Sequence, residues 1–245
     1  MTTHRRIVLL PAALAAVLLA AGCSGSDGDL KSATADATVQ EAVTSVEVAD
    51  ARRGSIEVTT GNGPGVTIHR TVHYRDDAEP EPSQRVSGGV LTFVNGCEDC
   101  YIDYELKVPA SVKVKLGNSS GAITVTGVAG ADVRTDSGAV RVERIGGPLK
   151  VETSSGSVTG SGLGGPSAEV RSDSGATALD FAKAPRTVST DTGSGSTKLK
   201  VPGGPYKVEV TTSSGERDVK VPSDPAAGST ITAKASSGDV EISAP

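Results

Sequence analysis

The sequence contains no tryptophan, and only two phenylalanines and four tyrosines stand among its 245 residues. A core with so few rings must be thin and aliphatic. Basic residues are scarce as well, since 24 Lys and Arg face 29 Asp and Glu for a formal net charge of −5, and no basic cluster occurs. Nucleic acids and anionic lipid surfaces bind to patches of Lys and Arg. Neither is therefore an expected partner.

Several signatures of catalysis are also missing. No long stretch has helical periodicity, and neither a P-loop nor a dinucleotide fingerprint occurs. No G-x-S-x-G pattern stands at an expected strand-to-helix elbow, since serines beside glycine lie in low-complexity turns such as that around Gly160 and Gly162. The sequence therefore predicts no enzyme and no cofactor.

The first residues have the pattern of an export signal. His4, Arg5 and Arg6 precede fifteen mostly apolar residues, fewer than the roughly 20 of a membrane-spanning helix. The run ends in Leu-Ala-Ala-Gly-Cys at 19–23, which resembles the lipobox of bacterial lipoproteins. The resemblance implies a signal peptide over 1–22, lipid on Cys23, and attachment to a membrane on the side facing away from the cytoplasm. A secretory signal followed by a chance cysteine is the alternative.

The residues after Cys23 are small and polar. The segment Ser24–Glu41 has no run able to bury apolar area, so residues 23–41 are predicted to form a flexible tether. Residues 42–245 are predicted to form one domain.

A short phrase of Ser, Thr or Asp before Gly recurs through most of this domain. Two turn signals in each period leave room for two strands of about four to six residues. A unit this short cannot bury a core alone and must stack on its neighbours. The sequence predicts an all-β fold, a single β-solenoid with two short strands in each coil of 17–23 residues. An antiparallel meander folded into a sandwich is the alternative. The predicted turn glycines are Gly121, Gly138, Gly156, Gly175, Gly193, Gly215 and Gly238.

These turns, the passage CEDCYIDYELKVPA and the closing SSGDVEI resemble a bacterial "putative adhesin" domain of unknown function. Its members occur in secreted and lipid-anchored proteins. The resemblance covers about residues 43–243 and implies a β-solenoid at the cell surface. Because its motifs are structural turns, it supplies no active site.

Two cysteines lie close together in the domain. Cys97 and Cys100 form a C-x2-C pair in a chain predicted to be exported, which favours a local disulfide. A redox pair would be expected to open a helix in a thioredoxin-like setting, and no such pattern follows.

Three turn aspartates are the weak cation candidates. Asp136, Asp173 and Asp191 each stand two residues before a predicted turn glycine, and other repeats carry serine there. Stacking is expected to bring Asp173 and Asp191 together, as in a site for a hard cation or a catalytic carboxylate pair. The alternation of Asp with Ser is typical of turn capping instead. No metal site is therefore predicted.

Together these observations predict a lipid-anchored, non-enzymatic surface protein. Its expected partners are the membrane, through Cys23, and a protein or an envelope glycan bound on a polar, adhesin-like surface. Two alternatives stay open: a lyase or hydrolase of β-helix type acting on polysaccharide, and an envelope scaffold without a dedicated ligand.

Overall fold

A computed structural model describes residues 30–245 of the chain. Over this range the protein is all-β, with twenty-one strands and no helix. The signal peptide and Cys23 lie outside the described residues. The strands are β1 (Lys31–Val39), β2 (Ser45–Val48), β3 (Ile56–Thr60), β4 (Val66–Tyr74), β5 (Ser83–Ser87), β6 (Val90–Val94), β7 (Tyr101–Val108), β8 (Lys113–Asn118), β9 (Ile123–Thr126), β10 (Gly130–Thr135), β11 (Val140–Glu143), β12 (Leu149–Thr153), β13 (Val158–Leu163), β14 (Ser167–Ser174), β15 (Thr177–Phe181), β16 (Thr187–Ser194), β17 (Thr197–Lys200), β18 (Lys207–Ser214), β19 (Arg217–Val219), β20 (Thr230–Ser237) and β21 (Val240–Ser243).

Two sheets form the walls of the molecule. Sheet A has eleven strands in the order β1-β4-β7-β3-β9-β11-β13-β15-β17-β21-β19, and sheet B has ten in the order β18-β20-β16-β14-β12-β10-β8-β2-β6-β5. Through the middle of the stack each coil gives one strand to each sheet, and successive coils pair in parallel. We call the two strands of one coil, one in each sheet, a rung. The predicted solenoid is confirmed, and the meander is excluded because the repeated strands are parallel.

The rungs meet at corners that only glycine fits. A Cβ on Gly156 would lie 2.0 Å from the carbonyl oxygen of Gly138, and one on Gly138 would lie 2.0 Å from that of Gly121. These glycines therefore form a column, as predicted. The prediction was wrong in one repeat: the DTGSG segment places Gly195, not Gly193, in this column, 2.3 Å from the oxygen of Gly175 by the same measure.

The core is a narrow aliphatic strip between the sheets. Alternation of apolar and polar residues in the sequence predicts that Val140, Val142 and Val219 face inward. Val140 and Val142 do so and are 1% and 0% exposed. The same prediction fails for Val219, which is 39% exposed. Its strand β19 is the outermost member of sheet A, so no further rung covers its side chain.

At the N-terminal end of the stack, rung order departs from chain order. The rung β6–β7 lies outside the rung β2–β3, and β4 and β1 then extend sheet A with antiparallel pairing. The prediction of a tether over 23–41 is therefore wrong for 31–39, which form β1. No apolar run signals this strand, because its inward side chains are Ala33, Ala35 and Ala37.

Chain order is also broken at the other end. The rung β20–β21 lies between β16–β17 and β18–β19, although β18 and β19 come earlier in the chain. Ile242 is consequently 0% exposed. Because β21 is the last strand pattern in the sequence, a free strand edge is predicted near Ile242. That prediction is wrong: β21 is paired on both sides, and among residues 30–245 the unpaired edge belongs to β18 and β19.

Candidate functional site

The outer face of sheet B carries a row of side chains whose charges alternate in sign. Register places Arg134 beside Glu152, Glu152 beside Arg171, Arg171 beside Asp191, and Asp191 beside Lys234. We call these five residues the charged ladder. They project outward because they alternate with buried positions on β10, β12, β14, β16 and β20. Adjacent members stand one strand spacing apart, about 4.8 Å.

Neighbouring charges hold the ladder side chains in place. Arg134 Nε donates to Glu152 Oε2 at 3.0 Å, and Lys150 Nζ lies 2.8 Å from Glu152 Oε1. The hydrogen bond from Lys150, supported by the positive charges of Lys150, Arg134 and Arg171, holds the pKa of Glu152 below its usual range. Arg171 also pairs with Glu169 at 3.0 Å. Each of these charges has an opposite charge beside it, so the face offers paired donors and acceptors with little net field.

A groove opens where the ladder lacks a side chain. Gly117 occupies the next ladder position beside Arg134, and a Cβ there would lie 2.3 Å from the carbonyl oxygen of Ala49. The groove has a volume of about 520 Å³. Its polar walls include Asp50, Arg134, Asp136, Glu152, Arg171 and Asp173.

The predicted aspartates do not come together as expected. Asp136 and Asp173 share a column along the groove, but the rung carrying Ser154 lies between them. Their backbones are therefore two strand spacings apart, about 10 Å, beyond the separation of a retaining carboxylate pair. Asp191 is not in this column: it pairs in register with Arg171 as a ladder member, because Gly195 and not Gly193 marks its corner.

Metal binding gains no support from the described residues. Between residues 30 and 245 no three His, Cys, Asp or Glu side chains are grouped so that they could hold an ion. The alternation of Asp136, Ser154 and Asp173 along one column fits exposed turn positions that accept either side chain.

A second groove of about 520 Å³ adjoins the first and shares Ala49 and Asp50 with it. Its lining is more apolar and includes Phe93, Val94 and Cys97. Val94 is 58% exposed, the most exposed large hydrophobic side chain among the described residues. The two adjoining grooves lie at one corner of the solenoid, and one is charged while the other is more apolar. We call the two grooves together the corner groove.

The sulfur atoms of Cys97 and Cys100 are joined, with their Cα atoms 5.7 Å apart. They pin the loop that leads into β7 and forms one wall of the corner groove. The disulfide stays a prediction, and its test is given in the Discussion.

A Ser, Asp and His cluster lies on the outer face of sheet A. Asp103 accepts hydrogen bonds from Ser55 Oγ at 2.8 Å and Ser55 N at 2.7 Å, and its other oxygen meets His73 Nε2 at 2.8 Å. Burial raises the pKa of Asp103, but the bonds from Ser55 and His73 outweigh it and hold that pKa below its usual range. The carboxylate stands between the hydroxyl and the imidazole. In a serine hydrolase the imidazole is hydrogen-bonded to the nucleophilic hydroxyl. Here it is bonded to the carboxylate instead, so this arrangement is not a nucleophile with its base.

The sequence analysis did not identify the ladder or the apolar groove. The ladder was nevertheless readable, because each member stands four residues before a corner glycine once Gly195 replaces Gly193. The apolar groove had no such periodic signal, since Phe93 and Val94 belong to the irregular N-terminal end.

The fold and the site define a non-helical, parallel β-solenoid with a polar corner groove and no recognisable catalytic constellation among residues 30–245. The family model described as "Toastrack DUF4097" matches residues 102–244, more than half of the chain. The chain belongs to this family, and the resemblance drawn from its turns is confirmed.

One solved structure shows the same fold at low identity, and a second is reported beside it. A "putative adhesin" from Bacteroides fragilis NCTC 9343 is 14% identical, with 90% of this chain and 100% of that chain covered and a TM-score of 0.54. A "putative adhesin" from Parabacteroides distasonis ATCC 8503 is 17% identical, with 88% and 98% covered and a TM-score of 0.47. No curated protein matches the chain. Over residues 30–245 no helix has the length and hydropathy needed to cross a bilayer.

Proposed function

We propose that the protein is a non-enzymatic, adhesin-like binding protein at the cell surface that uses the corner groove to hold a polar partner. The observation that carries the proposal is the charged ladder: five acidic and basic residues, alternating in sign, placed at regular spacing on a stack of parallel rungs. Such an array holds its donors and acceptors in place before a ligand arrives, which lowers the ordering cost of binding.

The name of one solved relative supports a binding role. The Bacteroides protein is named a "putative adhesin". The partner we propose is a protein or an envelope glycan, because both present neutral polar groups and mixed charges that the ladder can match. A uniformly charged polymer is disfavoured since each ladder charge has an opposite neighbour.

Two exposed arginines on the middle rungs allow a matched test. Arg171 lies in the ladder, and Arg141 lies on the outer face of sheet A at β11. Arrays of envelope glycans and labelled envelope proteins would be probed with the wild type, Arg171→Glu and Arg141→Glu. The expected result is binding by the wild type that falls at least tenfold in Arg171→Glu and stays unchanged in Arg141→Glu. Equal losses in both variants, or turnover of a glycan abolished by Asp173→Asn, would contradict the proposal.

Membrane attachment is a separate part of the proposal. We propose that lipid on Cys23 fixes the protein to the outer side of a membrane; the sequence Leu-Ala-Ala-Gly-Cys at 19–23 supports this. Several acyl chains would suffice, because each buried methylene contributes about 0.8 kcal/mol. Labelling with a radioactive fatty acid should mark the wild type and not Cys23→Ser. A Cys23→Ser protein that still sediments with membranes would show that the anchor is elsewhere.

A further inference from the structure

A buried arginine lies near the N-terminal end of the stack. Arg70 in β4 is 4% exposed, and its Nε and Nη1 have no hydrogen-bond acceptor among residues 30–245. No described carboxylate forms an ion pair with it. Leaving a guanidinium buried and unpaired is costly, and native proteins normally supply an acceptor.

The surroundings of Arg70 follow from strand register. On the inner face of sheet A, Arg70 pairs with Tyr104 of β7 on one side and with Ala35 of β1 on the other. Tyr104 packs across the core against Phe93 of β6, with ring centroids 5.1 Å apart. Phe93 pairs with Gln84 of β5. Because β4 and β5 are the next strands outward from β7 and β6, Gln84 lies across the core from Arg70. We call Arg70, Gln84, Tyr104 and Ala35 the end chamber.

The end chamber lies at the N-terminal end of the stack. Beyond β4, sheet A continues with β1, whereas sheet B ends at β5, so no strand of residues 30–245 faces the inner side of β1. Its alanines at 33, 35 and 37 are only half-buried. Nη2 is the one guanidinium nitrogen of Arg70 that is not sealed from solvent. Both two-pronged edges of a guanidinium include Nη2, so an anion reaching Nη2 can also engage Nε or Nη1.

We propose that the end chamber is a binding site for a small oxyanion, a carboxylate or a phosphate, held by two N–H groups of Arg70 and the amide of Gln84. The Tyr104 hydroxyl is occupied, since it donates to Asn95 Oδ1 at 3.3 Å. Burial raises the pKa of Tyr104 to about 12, so this ring stays neutral and does not compete as an anion. The site is separate from the corner groove and does not depend on the function proposed for that groove.

The test uses the full chain in a mild non-ionic detergent, with sodium acetate and sodium phosphate as probes. Ionic strength is held constant with the bulky sulfonate buffer HEPES, and the thermal unfolding midpoint is measured by circular dichroism. A ligand at about 100 times its dissociation constant should raise the midpoint by roughly 5–10 °C. Arg70→Met should remove this dependence, and Arg70→Lys should weaken it, because an ammonium lacks the two-pronged geometry. Arg85→Met, on the outer face of β5, is the control and should behave as the wild type.

Two results would overturn the proposal. One is a wild-type midpoint that does not change with either anion, and the other is an Arg70→Met midpoint that responds as the wild type does. If Arg70→Met does not fold, NMR line broadening of 13C-acetate is measured instead. The wild type and Arg85→Met should broaden the acetate signal equally, and Arg70→Lys should broaden it less. Phosphate and acetate acting alike would indicate a general oxyanion site.

Discussion

Two adjacent glycines provide a sharp test of how closely the rungs approach. A Cβ on Gly165 would lie 1.7 Å from the carbonyl oxygen of Gly147, whereas one on Gly164 would come no closer than 3.8 Å to any neighbouring atom. Real Cβ contacts essentially never fall under 3.0 Å. Gly165→Ala must therefore separate the two rungs locally by about 1.3 Å, but Gly164→Ala fits without movement.

The displacement can be converted into an unfolding free energy. Beside the corner, Gly164 N donates to Ile145 O at 2.9 Å across the same two rungs, and a shift of this size takes such a bond beyond hydrogen-bond range. One or two lost backbone bonds cost about 1 kcal/mol each, and local overpacking adds about 1–3 kcal/mol. The expected loss is about 3 kcal/mol for Gly165→Ala. Gly164→Ala should be neutral or stabilise by up to about 1 kcal/mol, since it reduces the freedom of the unfolded chain.

The assay is thermal and urea unfolding of the two variants beside the wild type. For a chain of this size, about 3 kcal/mol corresponds to a fall in midpoint of roughly 6–12 °C. Gly164→Ala should stay within about 3 °C of the wild type. Midpoints for the two variants that agree within about 1 °C would refute the reasoning, because the corners would then not be in contact.

Three further predictions concern single groups. Because the pKa of Asp103 is lower in the folded chain than in the unfolded chain, its carboxylate stabilises the fold at pH values above the unfolded pKa of about 4. This stabilisation is lost as pH falls through the lower folded pKa. Urea stability should thus drop between about pH 5 and pH 2, and Asp103→Asn should flatten that drop; parallel curves would refute it. The neutral Tyr104 phenol stabilises the fold below about pH 10, and this is lost as pH rises through about 12. Absorbance at 295 nm should show one phenol titrating near 12 that disappears in Tyr104→Phe, whereas an unchanged titration would exclude the assignment. The Cys97–Cys100 bond should block alkylation of both thiols in the denatured chain until a reductant is added, and mass spectrometry showing alkylation without reductant would contradict it.

The sequence allowed the repeating part of the fold to be predicted because two local rules coincide there. Alternation of valine with charged residues marks the inward face of each strand, and glycine marks the corner. The DTGSG segment defeated the second rule, since Gly193 and Gly195 both fit it. Only the stacking of Gly195 on Gly175 decides between them.

The two ends of the stack had no local signal. Every rung carries the same pattern, so nothing in Val240 or Ile242 indicates which neighbours it pairs with. Strand β1 escaped prediction because Ala35 and its companions bury too little apolar surface to stand out. The environment of Arg70 depends on that strand and on long-range register, and it was equally hidden.

The out-of-order rung has a consequence for how the molecule is completed. Residues 230–243 leave the ribosome after 207–219 but occupy the slot beneath them. Folding cannot therefore proceed as a simple zipper that follows synthesis or export. Either the segment 207–219 stays unpaired until 230–243 has joined the stack, or it pairs early and must dissociate before 230–243 can insert. Completion of the C-terminal end of the stack therefore depends on residues 230–243, which are synthesised last.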